Sequence, residues 1–178
     1  MAYLSKSKSL SYYKPADLSR PTFMHYTGNP IRAGGAIIYR HNRGKIELLL
    51  IKTDRNGIAY EDFGGKTDKL DTSIMGTIAR EVYEESNSLI RIEKQINNSK
   101  SYYDTRSKYL LYVIKANSYE KRLRSYMFGN REDGVVPLPN GELPIRTIEW
   151  VDINKLPNLH LHPRLANLMP SVLLDIFD

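Results

Sequence analysis

Two short β-prone runs meet across a turn early in this chain, and they set what the rest of it can become. AGGAIIY at 33–39 and IELLLI at 46–51 flank Arg43-Gly44, and the second stops before Asn56-Gly57. Runs of that length between turn residues read as neighbouring strands. A third extended segment, Ala59 to Phe63, leads into Gly64-Gly65. The apolar positions then shift to helical spacing through Ile78, Val82 and Tyr83, with Asp71 or Thr72 as the expected cap and Asn87 as the stop. KYLLYVIKA (108–116) and RTIEWV (146–151) read as further strands. Between them Gly129, Gly134, Pro137, Pro139 and Gly141 predict mostly loop, after a helical start near Tyr119 to Tyr126. Leu165, Leu168, Val172, Leu173 and Ile176 space out a closing helix over 163–177 that contains Pro170. Interleaved strands and helices predict an α/β domain whose central mixed sheet is covered on both faces.

The 178 residues suffice for one core. Residues 31–178 are therefore read as a single domain, and 1–30, broken by Pro15, Pro21 and Pro30, as an N-terminal arm or irregular flank. Cysteine is absent, which excludes disulfides, thiolate nucleophiles and Cys-based zinc sites together. No apolar stretch approaches the roughly 20 residues of a membrane-crossing helix, and the N-terminal segment has no apolar core of a secretory signal. A cytoplasmic location with no membrane partner is the expectation. The formal charge of +6 favours an anionic partner, because a positive surface concentrates phosphates.

Chemistry concentrates in Arg80-Glu81-Val82-Tyr83-Glu84-Glu85. On a helix, positions 84 and 85 lie about 60° to one side of Glu81 and about 40° to the other, so three carboxylates share a face. Like charges at those spacings repel. A divalent cation reverses the sign, since Mg²⁺ takes hard oxygen ligands from a few carboxylates plus substrate phosphates. Such an ion neutralises charge on a diphosphate and activates water, while a carboxylate accepts the proton. Upstream, Gly64-Gly65 lets backbone approach closely and Lys66 meets a phosphate as a point charge. Arg32 and Lys52 are further candidate substrate-binding cations.

GGKTDKLDTSIMGTIAREVYEESN resembles the Nudix box: glycine, five residues, Glu, seven residues, then Arg-Glu-apolar-x-Glu-Glu-x-Gly. Gly65 matches the opening glycine, and Arg80, Glu81, Glu84 and Glu85 match directly. Asp71 stands in for the first Glu with eight residues rather than seven before Arg80, and Asn87 replaces the closing glycine. The resemblance implies a Nudix-like α/β/α sandwich and a pyrophosphohydrolase dependent on Mg²⁺ or Mn²⁺. It implies Glu81, Glu84, Glu85 and the Gly65 carbonyl as metal ligands, with Glu84, Glu85 and Arg80 in catalysis and Arg80 orienting. Asp71 would organise the loop and pair with that arginine. Some family members carry the base on a distant loop, which makes Glu132, Asp133, Glu142 and Glu149 candidates.

The implied substrate is a nucleoside diphosphate linked to another group, with the mRNA cap as the specific version to test first. Diphosphoinositol polyphosphates, dinucleoside polyphosphates and a catalytically silent nucleotide- or RNA-binding module are the alternatives. The partner is thus a phosphate-rich small molecule or capped RNA. Gly65-Lys66-Thr67 is no P-loop, because Tyr60 stands where its first glycine belongs. His160-x-His162 lacks further zinc ligands, Tyr12, Tyr13, Tyr102 and Tyr103 read as surface or partial core, and Trp150 reads as a core anchor.

Overall fold

Side-chain alternation along the central strands sorts the apolar residues into two cores, one on each face of a sheet. In the computed structural model, which describes residues 20–54, 57–129, 131–132, 141–142 and 145–177, β3 (Ala33–Asn42) and β4 (Lys45–Asp54) form the central hairpin. Its two turn residues, Arg43 and Gly44, both have positive φ, at 52° and 76°. That pair of conformations matches the right-handed twist of the strands it joins. Ala36, Ile38, Leu49 and Ile51 point to one core, and Ile37, Leu48 and Leu50 to the other.

The sheet is extended on one side by β8 (Tyr109–Lys115), parallel to β3, and then by β7 (Lys100–Asp104). On the other side β10 (Ile145–Asp152) runs antiparallel to β4 and carries the two-residue β9 (Arg131–Glu132) at the edge. Two short strands complete it: β5 (Ile58–Glu61) pairs with β4, and β6 (Phe63–Lys66) pairs with the start of β3. A separate ladder joins β1 (Phe23–Met24) to β2 (Pro30–Ile31), within the segment read from sequence as a flank.

Helix α1 (Ile74–Glu85) covers one face through Ile78, Ala79 and Val82, and α3 (Pro163–Phe177) covers the other through Leu165, Leu168, Met169, Val172 and Ile176. This is the α/β/α sandwich with a central mixed sheet. None of the described helices is long and apolar enough to cross a membrane.

Several sequence expectations shift in detail. The α1 cap is Ser73, whose hydroxyl accepts from the Gly76 N–H at 3.0 Å, because Asp71 is engaged elsewhere. At the other end Asn87 and Ser88 both take positive φ. The helical start near Tyr119 resolves into a 3₁₀ turn at Glu120–Arg122 and the one-turn α2 (Ser125–Phe128). Trp150 packs at the edge of the core, donates to the Leu123 carbonyl at 3.0 Å and carries the Arg40 guanidinium 4.1 Å from its ring centre. Tyr102 donates to the Asp175 carboxylate, and Tyr103 donates to the Pro30 carbonyl while stacking on His25. Tyr60 pairs by backbone with His160 and His162, fixing the loop that carries both histidines. Tyr12, Tyr13, Pro15, Asp133, Gly134, Pro137 and Pro139 lie outside the described residues.

Strands β3 and β6 approach closely where glycine faces glycine twice: Gly34 opposite Gly65, and Gly35 opposite Gly64. Each of the four is needed for room. A Cβ on Gly34 would stand 2.7 Å from Ile78 Cδ1 of α1, and one on Gly64 would overlap the Tyr109 hydroxyl and come within 2.6 Å of the Gly34 carbonyl oxygen. Because the second obstacle is backbone, side-chain rotation cannot relieve it. Gly64→Ala is therefore expected to lower unfolding stability by about 1–3 kcal/mol or more, read as a reduced urea midpoint with an unchanged slope.

Candidate active site

The acidic face of α1 is set against β6 by what β6 lacks. A Cβ on Gly65 would sit 2.5 Å from both carboxylate oxygens of Glu81, so that carboxylate occupies the space a side chain would fill. One residue earlier, the Gly64 N–H donates to Glu85 Oε2 at 2.7 Å. The glycine pair thus positions two of the three carboxylates, one by shape and one by hydrogen bond.

Arg80 organises the other side of the cluster. Its Nε and Nη2 donate to the two oxygens of Asp71 at 3.1 and 3.0 Å, while Nη1 reaches Glu81 at 2.9 Å and Glu84 at 3.2 Å. Nη2 also donates to the Lys66 carbonyl at 3.2 Å, tying the helix to the end of β6. Asp71 accepts in addition from the Thr77 hydroxyl and the Asp68 N–H. Burial acts to raise the Asp71 pKa, but the Arg80 hydrogen bond with these two donors outweighs it and the carboxyl lies below its ordinary value. With eight residues between Asp71 and Arg80, the shorter acid still reaches the guanidinium.

Glu85 is largely enclosed, and its second oxygen lies 3.2 Å from Arg146 Nη2. Burial pushes its pKa up to about 7, with Arg146 and the Gly64 N–H pulling the other way. Burial likewise raises Glu81, opposed by Arg80. Glu84 is the most open to water, with its side chain 53% exposed.

Behind the glycines lies a second polar group. Asp62, 2% exposed, accepts from the Tyr109 hydroxyl and from Arg164 Nη2 at 2.9 Å, and the Arg164 guanidinium lies 3.9 Å over the Tyr109 ring. Burial above all, with Asp62 beside it, holds the Tyr109 hydroxyl well above its ordinary pKa. The residues that β6 needs on its far side are thereby locked in place.

No three acidic or histidine side chains among the described residues already stand as a metal cage, since Arg80 and Arg146 share the carboxylates between them. The donor set nevertheless fits a hard divalent cation. Three carboxylates lie on one helix face, two are substantially buried, and the absence of a side chain at Gly65 brings backbone close to them.

Among the other sequence candidates, Lys66 and Arg32 come together in one cavity with Arg20. Lys52 does not join them: its ammonium lies 5.9 Å from the Tyr60 ring centre, beside β5. Glu149 accepts from the Tyr60 hydroxyl at 2.7 Å, a contact that raises the tyrosine to about 12 together with the larger effect of burial. Glu142 is exposed, and Glu132 lies in β9.

Arg146 was not singled out from sequence, yet a signal exists. Alternation in β10 puts it on the same face as Ile148 and Trp150, and a cation on an inward face calls for a buried anion. Asp62, Tyr109 and Arg164 meet only through the fold, from three elements far apart in the chain.

No family model and no curated protein matches the sequence. Among solved structures, the binary complex of a C. elegans Ap4A hydrolase is 18% identical, with a TM-score of 0.52 over 82% of this chain and 97% of that one. A Nudix domain of Shewanella oneidensis NrtR bound to ADP ribose, 14% identical over 83% of this chain and 88% of that one, gives a TM-score of 0.49. A Nudix hydrolase of Nitrosomonas europaea, 16% identical over 79% and 86%, gives 0.43. The fold assignment rests on the first, together with the mixed sheet held between α1 and α3. The chain has the fold of the Nudix hydrolases.

Proposed function

We propose that this protein is a cytoplasmic Nudix hydrolase that cuts a diphosphate linkage in a nucleoside-linked substrate. The observation that carries the reading is the seating of Glu81 and Glu85 against Gly65 and Gly64, with Glu84 beside them on the same helix face. Dinucleoside polyphosphates are the first class to try, in keeping with the Ap4A hydrolase that shares the fold. The mRNA cap is the second, in keeping with the positive charge of the chain.

Glu81, Glu84, Glu85 and the Gly65 carbonyl would hold Mg²⁺ or Mn²⁺. Such an ion, when bound, offsets the charge of the diphosphate and of the carboxylates and makes water a better nucleophile. The protein's own groups do the rest. Arg80, held by Asp71 and the Lys66 carbonyl, keeps Glu81 and Glu84 aligned. Arg146 and the Gly64 N–H fix Glu85 from behind. Glu84, the carboxylate most open to water, accepts the proton of the attacking water.

A second reading draws on the two arginines. With Arg80 and Arg146 already neutralising the acids, the domain would serve as a catalytically silent nucleotide- or RNA-binding module. Turnover decides between the two.

On a panel of diadenosine polyphosphates, capped RNA, ADP-ribose and diphosphoinositol phosphates, at least one member is expected to be cleaved with Mg²⁺ or Mn²⁺ and none with EDTA. Glu85→Gln should lower kcat by about 10²-fold or more while leaving the circular dichroism spectrum unchanged. Metal-independent turnover, or an unaffected Glu85→Gln, would exclude the mechanism, and no turnover on any member favours the silent module. Arg80→Lys keeps the charge but loses the planar fork that serves Asp71 and the two glutamates together. Its kcat/KM is expected to drop by about tenfold, with a loss of about 1–3 kcal/mol in stability from the hydrogen bonds to charged partners, measured by steady-state kinetics and urea unfolding.

A further inference from the structure

We propose that the cavity at the end of β3 and β6 is a second anion site, one that takes a chain of phosphates held apart from the bond that is cut. The cavity has a volume of about 320 Å³ and is lined by Arg20, Arg32, Ala33, Lys66, Thr67 and Ser107. That volume lies at the lower end of the range for small-ligand sites, about 300–1,000 Å³. Three cations converge there. Among the described residues neither the Arg32 guanidinium nor the Lys66 ammonium has an ion-pair partner, although both are exposed on the same cavity. The Arg32 and Lys66 charges repel one another, and a polyanion between them turns that repulsion into attraction.

The convergence is built. Thr67, 1% exposed, donates its hydroxyl to the Pro21 carbonyl at 2.8 Å, which pins the segment carrying Arg20 against β6. Backbone bonds from the Arg32 N–H to the Lys108 carbonyl and from the Thr67 N–H to the Arg32 carbonyl fix the strand ends on either side. The nearby acids are occupied within their own turns: Asp104 accepts from the Ser107 hydroxyl and the Arg106 and Ser107 N–H groups, and Asp68 accepts from the Leu70 N–H. Among the described residues neither carboxylate forms an ion pair with Arg32 or Lys66.

Its position separates it from the carboxylates. The missing Cβ of Gly65 points at Glu81, so the next residue, Lys66, leaves the strand on the opposite face. Ala33, paired with Lys66 across the ladder, packs toward the core under α3 rather than α1. The two sites nevertheless share a boundary, since the Lys66 carbonyl accepts from Arg80. Condensed phosphates and the phosphodiesters of a nucleic acid strand present the same chemistry to these cations. The cavity extends the hydrolase reading toward substrates with phosphates beyond the scissile pair, but its test is independent of turnover.

The full-length protein, in EDTA, is titrated with tripolyphosphate by calorimetry. Binding to wild type is expected, with Arg32→Ala and Lys66→Ala each weakening it by about tenfold or more, as for loss of a charged hydrogen bond. Lys66→Arg should retain most of the affinity, and Lys115→Ala, an exposed cation outside the cavity, should change it less than about twofold. Displacement by a single-stranded RNA oligonucleotide lacking a terminal phosphate extends the site to diester phosphates, and its failure confines the site to condensed ones. Absence of tripolyphosphate binding, or a loss in Lys115→Ala as large as in the cavity variants, would overturn the proposal. Because no metal or cleavage enters the assay, the hydrolase reading can fail while this one stands, and the reverse.

Discussion

The close approach of β6 to β3 is the constraint from which the rest of the structure follows. Two glycine pairs remove every side chain from the contact, and three separate groups occupy the space so created: Ile78 of α1, the Tyr109 hydroxyl and the Glu81 carboxylate. On one side this lets the acidic helix lie directly against a strand, with a backbone N–H aimed at Glu85. On the other it admits the buried Asp62, Tyr109 and Arg164 group, which ties the strand to the first turn of α3. Sheet, helix and site are thus fixed by one set of missing side chains. Carboxylates anchored in this way are positioned by rigid elements rather than by loops.

Electrostatics explains why such a cluster can fold before any ligand arrives. Four acids, Asp71, Glu81, Glu84 and Glu85, lie along α1 and the loop ahead of it, and burial alone would make the ionised forms of Asp71, Glu81 and Glu85 costly. Arg80 touches three of them and Arg146 the fourth. Each arginine comes from an element whose place is already set, α1 itself and β10, so the counter-charges are delivered by the same packing that gathers the acids. Removing either partner of such a half-buried pair leaves the other uncompensated, which makes the arrangement sensitive to single substitutions even where the net worth of the pair is small.

Much of this was legible in the sequence because it rests on local periodicity. The β3–β4 hairpin, the strands at 109–115 and 145–152, the closing helix and the shared face of Glu81, Glu84 and Glu85 all follow from spacing of two or three to four residues. The Ser73 cap was missed because Asp and Ser cap about equally well by type, and only tertiary contact with Arg80 takes Asp71 away. Strand β7, KSYYD, carries too few apolar residues to stand out, and it is held by pairing with β8 and by Tyr102 and Lys100 reaching Asp175. Arg146, Arg164 and Asp62 find their partners across 61, 102 and 47 positions, separations that no short window spans (Glu85 to Arg146, and Asp62 to Arg164 and Tyr109).

The distribution of charge carries one more consequence. A net charge of +6 on a chain with an acidic helix face means that the cations are gathered elsewhere, and the end of β3 and β6 is one such place. Acids and cations stand on either side of a strand one residue thick, with Gly65 facing the first and Lys66 the second. A phosphorylated ligand meeting this edge feels attraction from the cations at a distance and repulsion from carboxylates that outnumber the two arginines paired with them. A bound divalent ion would cancel the repulsion while leaving the attraction, so capture by the basic side and engagement by the acidic side become separable events. Affinity in the absence of metal would then report the cations, and cleavage in its presence the carboxylates.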